Sequence, residues 1–131
     1  QNPSKINVLG GYCSDNELHN SNNQREYMTT ESLIQNQIRV GLSKAGHTVF
    51  RVNVGKVKMQ NGRWFETGVP KGYCDLSGFR KGDAKAFFIE VKNETGKLRP
   101  EQEKFIEQMK KRGALAGVAR SVEDAMRIVN E

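Results

Sequence analysis

Cysteine is scarce in this sequence. Cys13 and Cys74 are the only two, far apart and without metal-ligand spacing, so a disulfide framework is not what organises the fold. No apolar run approaches the roughly 20 residues needed to span a bilayer, and no charged-then-apolar leader opens the chain. The expected compartment is the cytoplasm. Only two histidines are present, His19 in a polar stretch and His47 just past a helix stop, so no general-base pair is expected and neither is given a role. No zinc finger, helix-turn-helix or other base-reading module is legible.

The 131 residues suffice for one domain with a single core and are too few for two ordinary ones, so one active site is sought. A composition of 36% hydrophobic and 27% charged residues suits a folded soluble chain and argues against extensive disorder. The net charge is +6, and because residues 1–27 set Lys5 and Arg25 against Asp15, Glu17 and Glu26, the whole positive surplus lies beyond them. A basic domain favours a polyanionic partner, since each phosphate it neutralises releases condensed counterions; solubility alone is the plainer reading of the same charge.

Residues 1–27, rich in Asn, Ser and Gly and without a sustained period, read as an irregular N-terminal extension or an artificial segment ahead of Met28. Residues 28–131 form the domain. Thr30 can cap a helix carrying Ile34, Ile38, Leu42 and Ala45 at helical spacing, with Gly46 as its stop. A strand is expected over His47 to Val54. A hairpin follows, with Lys56 to Met59 and Arg63 to Thr67 on either side of Asn61-Gly62. After a loop through Gly68, Pro70 and Gly72, a short strand is expected from Tyr73 to Leu76, closed by Ser77-Gly78, and another from Ala84 to Lys92. Pro100 begins a second helix, with acids in its first turn, Phe105, Ile106 and Met109 on its apolar face and Lys110 to Arg112 before Gly113. Ala114 to Ala119 suits a buried strand, and Ser121-Val-Glu-Asp124 starts a last helix. The order is that of an α/β domain with a mixed sheet between helices.

Strand alternation in Phe87-Phe88-Ile89-Glu90-Val91-Lys92 puts Glu90 and Lys92 on one face and Phe87, Ile89 and Val91 on the other. Such a reversal of polarity at one end of a core strand is either a solvent-facing ion pair or a site. Asp75 precedes them on the adjacent strand, and antiparallel pairing across Ser77 to Asp83 brings its carboxylate toward Glu90. Two converging carboxylates repel unless a cation lies between them, and magnesium suits hard oxygen ligands; otherwise Asp75 is a turn residue beside Ser77-Gly78. Glu31 lies at the edge of the helical face that carries Ile38 and Leu42 inward, which aims a third acid at the site or merely complements the helix dipole. Gln102, at the start of helix two, would orient Lys92 or a phosphate, or bond a free backbone amide of its own helix.

Asp75, then Glu90-Val91-Lys92, then Gln102 at a helix start resembles the PD-(D/E)xK nuclease superfamily and, within it, the VRR-NUC (virus-type replication-repair nuclease) family. The resemblance covers about residues 29–130. It includes Glu31, the stretch Gly68-Val-Pro-Lys-Gly-Tyr-Cys-Asp75-Leu-Ser-Gly, the Phe-Ile-Glu-Val-Lys strand, Leu98-Arg-Pro-Glu-Gln102 and the Gly113 turn. One departure is Cys74, where the family pattern often has Pro. Alternation points Cys74 away from the site that Asp75 faces, which makes it a packed residue, not a nucleophile.

The resemblance implies a restriction-endonuclease-like αβββαβ core, with the Asn61-Gly62 hairpin fitted among the early strands. It also implies roles: Asp75, Glu90 and the Val91 carbonyl binding Mg²⁺, or Mn²⁺ in its place, with Glu31 completing the site directly or through water. Lys92 would position or activate the attacking water and offset charge on the phosphorane, and Gln102 would steady the lysine or the scissile phosphate. Stand-alone members look like phage junction-resolving enzymes acting as homodimers. The expected activity is thus Mg²⁺-dependent cleavage of DNA at Holliday-type junctions, in the host cell cytoplasm if phage-encoded. Lys56, Lys58 and Arg63 on the hairpin are the candidate DNA contacts. Two other readings are a nuclease for flaps, single strands or nonspecific duplex, and a catalytically silent nucleic-acid-binding module.

Overall fold

The helical period that starts at Thr30 gives α1 (Thr30–Lys44) in the computed structural model, which describes residues 6–7, 11–12 and 30–131. Its Ile38 and Leu42 are buried, and it stops at Gly46, where His47 N–H closes back onto the Leu42 carbonyl. Six strands follow, in two separate sheets. A four-stranded sheet is ordered β3 (Thr48–Arg51), β6 (Leu76–Phe79), β7 (Ala86–Val91), β8 (Leu115–Ala119). The β3–β6 and β6–β7 pairs are antiparallel and β7–β8 is parallel, joined by the crossover through α2 (Pro100–Lys111). The last element is α3 (Val122–Val129), its first turn capped by the Ser121 hydroxyl, which accepts from Asp124 N–H. The expected helix, strand, helix, strand, helix order and mixed sheet are therefore observed.

The expected hairpin forms as β4 (Lys56–Lys58) and β5 (Trp64–Glu66), but not among the strands of the main sheet. It is a two-stranded ladder of its own, because almost every residue in it is polar or exposed and offers the core nothing to bury. Within the segment read as irregular, Ile6–Asn7 (β1) pairs antiparallel with Gly11–Tyr12 (β2). Cys13 and His19, like the rest of residues 1–27, lie outside the described residues.

The strand expected over Tyr73 to Leu76 is displaced: β6 begins at Leu76, and Ser77-Gly78 is inside it. Gly78 is there for contact rather than for turning. A Cβ on it would sit 1.8 Å from the Thr48 carbonyl oxygen of β3 and 3.0 Å from the Phe87 ring. The chain reverses instead at residues 80–85, where Arg80 N–H donates to the Lys85 carbonyl and the Arg80 guanidinium pairs with Asp83.

One face of the sheet presents Val49, Leu76, Phe87, Ile89, Val91, Leu115 and Ala119 to α1 and α3, which supply Ile38, Leu42, Ala125, Ile128 and Val129. Each buried Leu, Ile or Phe contributes about 1.5–3 kcal/mol, so this face supplies most of the fold's stability. The opposite face carries α2. There Phe105 packs against Tyr73 and Phe88, with ring centroids 5.0 and 5.6 Å away. Among the described residues no helix is long and apolar enough to cross a membrane.

Candidate active site

Register brings the polar residues together. Leu76 pairs with Ile89, so one step further along the ladder Asp75 stands opposite Glu90, on the α2 face of the sheet. Asp75 belongs to the bend that leads into β6, and its Oδ2 accepts the Val91 N–H at 2.9 Å. Pairing with β7, not a turn role, holds it.

Glu90 and Lys92 are 3% and 8% exposed, which corrects the solvent-facing ion-pair reading. Lys92 Nζ lies 3.6 Å from Glu90 Oε1. The same oxygen accepts from Gln102 Nε2 at 2.7 Å, while Glu90 Oε2 is buried with no hydrogen-bond partner among the described residues. Burial, together with the Asp75 carboxylate beside it, pushes the Glu90 carboxyl up to about 8 against the pull of Lys92.

Gln102 takes the expected capping role and adds a contact that was not expected. Its Oε1 accepts from Arg99 N–H at 2.9 Å, capping α2, and its Nε2 reaches Glu90. The residue it holds is therefore the glutamate, where the sequence suggested the lysine. A buried amide at the third position of a helix can face the sheet with one end and its own N-terminus with the other.

The loop through Gly68, Pro70 and Gly72 presses against the start of α2. A Cβ on Gly72 would lie 2.4 Å from the Glu101 carbonyl oxygen, and its φ is 92°, so this close approach requires glycine. Between loop, sheet and helix lies a cleft of about 450 Å³ whose walls include Glu31, Asp75, Glu90, Lys92 and Gln102. Lys56 and Glu66 of the hairpin form part of its rim; Lys58 and Arg63 are exposed farther out on the same hairpin. Lys71, Tyr73 and Arg99 also line it and were not singled out from sequence. Their only available signal was the run of Gly, Pro and basic residues around them. Arg120, also missed, donates from Nη1 to the Asn93 and Gly96 carbonyls and so ties down the loop that follows Lys92.

The described residues contain no group of three or more His, Cys, Asp or Glu side chains close enough to share an ion. Glu31 lines the same cleft but is not grouped with Asp75 and Glu90 in this arrangement. The remaining pair fits a small hard cation. Magnesium is commonly held by one or two carboxylates, with water and substrate phosphate completing its shell, and the unpartnered Glu90 Oε2 is a buried acceptor still to be satisfied.

Cys74 is fully buried and its Sγ donates to the Leu76 carbonyl at 2.9 Å. Burial pushes its thiol up to about 12, so it packs and does not react, as alternation indicated. His47 is buried too. Its Nδ1 accepts from Lys81 N–H at 2.9 Å, and burial followed by the Arg80 and Lys81 charges lowers its pKa, so it is a neutral structural residue remote from the cleft walls.

Comparison with known proteins bears on the fold and the family. A solved structure of a VRR_NUC domain superposes with a TM-score of 0.57 at 24% identity, covering 79% of this chain and 98% of that one, and so shares its fold. No curated protein matches the sequence. The sequence model of the VRR-NUC domain matches residues 29–123, a span that takes in Glu31, Asp75, Glu90, Lys92 and Gln102. With most of its length matched and the same fold, this chain belongs to the VRR-NUC domain family, whose members carry a nuclease-type domain.

Proposed function

We propose that this protein is a magnesium-dependent, structure-selective DNA endonuclease of the PD-(D/E)xK type that acts on Holliday-type four-way junctions as a homodimer. One observation carries the reading: a buried carboxylate with an unpartnered oxygen, next to a second carboxylate and a lysine, at the floor of an open cleft in a basic domain. Asp75, Glu90 and the Val91 carbonyl would hold the ion, with Glu31 completing the site through water. Magnesium bound there, or manganese in its place, would supply a Lewis acid to polarise the phosphate, lower the pKa of the attacking water and offset charge on the leaving oxygen.

The chain's own residues do the rest. The Val91 N–H fixes the rotamer of Asp75, and Gln102 anchors Glu90 Oε1, which leaves Oε2 as the acceptor that would be offered to an ion. Lys92, held within the cleft by Glu90, orients the nucleophilic water and opposes the charge that builds on the phosphorane. No side-chain nucleophile is required, in keeping with the inert Cys74.

Selectivity comes from DNA shape, since the basic hairpin meets phosphates and carries no base-reading helix. Two copies related by a two-fold axis would match the two cuts that resolve a junction. Phe50 and Phe79, 44% and 49% exposed on one face of neighbouring strands, are an apolar pair suited to contact between copies. The expected setting is the cytoplasm, that of the host cell if the protein is phage-encoded. The test compares cleavage of a four-way junction with that of a linear duplex of the same sequence, with and without Mg²⁺. Mg²⁺-dependent cutting of the junction in preference to the duplex supports the reading. Equal cutting makes the protein a nonspecific nuclease, cutting of flapped or single-stranded DNA in place of the junction makes it a flap or single-strand nuclease, and binding without any cutting makes it a silent module.

A further inference from the structure

We propose that Trp64 is a base-stacking residue through which the β4–β5 hairpin selects DNA offering an exposed base face near the cut phosphate. This rests on the nuclease reading above and narrows its substrate. The ladder pairs Lys56 with Glu66, Val57 with Phe65 and Lys58 with Trp64. Directly paired residues share a face and successive pairs alternate, so Lys56, Glu66, Lys58 and Trp64 lie on one side of the hairpin. Lys56 and Glu66 line the cleft that contains Asp75 and Glu90. Trp64 is therefore on the cleft side, two residues farther out, a distance of about 7 Å along the strand.

Trp64 is 65% exposed, more than any other large hydrophobic residue among those described, so the fold does not use it as a core residue. Its neighbours define its partner. Lys58 stands opposite it and Lys56 shares its face, with Glu66 as the one acid there, so the indole is flanked by cations that suit phosphates. Aromatic rings interleaved with cations are how proteins grip nucleic acid strands: the cations track the backbone and the rings stack on bases of any sequence. A base inside continuous duplex has both faces covered by its neighbours and offers nothing to an indole. A branch point, a flap or a single strand offers an open face, so Trp64 favours these substrates over plain duplex without reading sequence.

Trp64 is the only tryptophan of the chain, so its fluorescence reports directly on the proposed contact. The full chain is titrated in EDTA with fluorescein-labelled DNA, either a plain duplex or the same duplex carrying a short single-stranded gap. Anisotropy follows binding while indole emission is recorded. Gapped DNA should quench the indole as it binds, and duplex much less. Trp64→Leu, which keeps apolar bulk without a π face, should cut the gapped-to-duplex affinity ratio by about tenfold. Trp64→Phe should restore most of it, and Phe65→Ala, on the opposite side of the hairpin, should change it less than about twofold.

Anisotropy showing bound gapped DNA with unchanged indole emission overturns the proposal, as does a Leu variant that keeps the ratio. So does an emission change that follows protein concentration in the absence of DNA, which would make this face a contact between copies of the chain. The parent reading is judged separately, by cleavage with Mg²⁺. Trp64-dependent binding without cleavage removes the nuclease and keeps the stacking residue, and cleavage indifferent to Trp64 does the reverse.

Discussion

Two antiparallel strand pairs of this molecule, β6–β7 and β4–β5, are built on opposite terms. In β6–β7 most side chains are enclosed and so locked, Phe79 at the far end excepted. Leu76, Phe87, Ile89 and Val91 are fully buried, Gly78 admits the neighbouring backbone, and even the polar Glu90 and Lys92 are enclosed. In β4–β5 Lys56, Lys58, Trp64, Phe65 and Glu66 are all exposed. The two pairs meet at one cleft. Chemistry that needs reacting groups held within fractions of an ångström belongs on the locked pair, where desolvation strengthens every charge interaction. Contact with a variable nucleic acid belongs on the exposed pair, where side chains adapt and water competes.

If that division holds, substitutions in the locked pair should be catastrophic for turnover. Asp75→Ala, Glu90→Ala and Lys92→Ala should each lower Mg²⁺-dependent cleavage by at least roughly a thousandfold, because each removes an ion ligand or the charge opposed to the phosphorane. Circular dichroism should show that the fold persists, since the apolar core lies on the other face of the sheet. An alanine variant with full activity takes that residue out of the mechanism.

Gln102 sharpens the comparison because its two hydrogen bonds serve different ends. Gln102→Ala loses both, and should lower stability by about 1 kcal/mol through the cap and activity by about 10–100-fold through the released Glu90. Gln102→Glu keeps the oxygen that accepts from Arg99 N–H but replaces the donor to Glu90 with a repelling oxygen. It should keep the cap, lose stability through the buried carboxylate pair, and lose activity by more than that loss of stability accounts for. If the two variants lose activity only in proportion to stability, Gln102 is a cap and nothing more.

The buried carboxylate also leaves a signature in pH. Without metal the folded Glu90 titrates near 8, against an ordinary value of 4.5, so between these values the native state holds a proton that the unfolded chain releases. The contribution of Glu90 to stability must then fall as pH rises from about 4.5 to about 8, with nothing from this group outside that window, while His47, whose pKa is lowered, contributes in the opposite sense. Thermal melts in EDTA should show the decline, Glu90→Gln should flatten it, and saturating Mg²⁺ should raise the melting temperature most at the alkaline end, where no proton has to be displaced. A Glu90→Gln variant whose metal-free pH dependence matches that of the wild type across the window would contradict the enclosed, carboxylate-facing environment of Glu90.

What was legible in the sequence follows the same division. The alternation of Phe87 to Lys92 put Glu90 and Lys92 on one face, as observed, and Pro100 with its first-turn acids named the helix that covers that face. The strand before it was misplaced because Ser-Gly is a turn signal locally, whereas the constraint that puts Gly78 inside β6 is the Thr48 carbonyl of a strand some thirty residues earlier. The burial of Glu90 and Lys92 was equally invisible, since it depends on α2 and the glycine loop folding over them. Tyr73, Arg99 and Arg120 escaped for the same reason: their roles are set by what they meet across the fold.

The exposed pair should respond most mildly. Lys58→Ala and Arg63→Ala remove cations that touch no core residue, so each should weaken DNA binding only severalfold and alike across sequences, with no change in melting temperature. Each phosphate contact contributes about 0.9 to the slope of log affinity against log salt on duplex DNA, so each variant should flatten that slope by about one. Lys56→Ala is the discriminating case, because Lys56 also lines the cleft. If the hairpin only gathers DNA, Lys56→Ala behaves as the other two and saturating DNA restores full turnover. If it also aligns the cut phosphate, turnover stays reduced at saturation, and the boundary between the adaptable and the locked parts of the site runs through the Lys56–Glu66 pair.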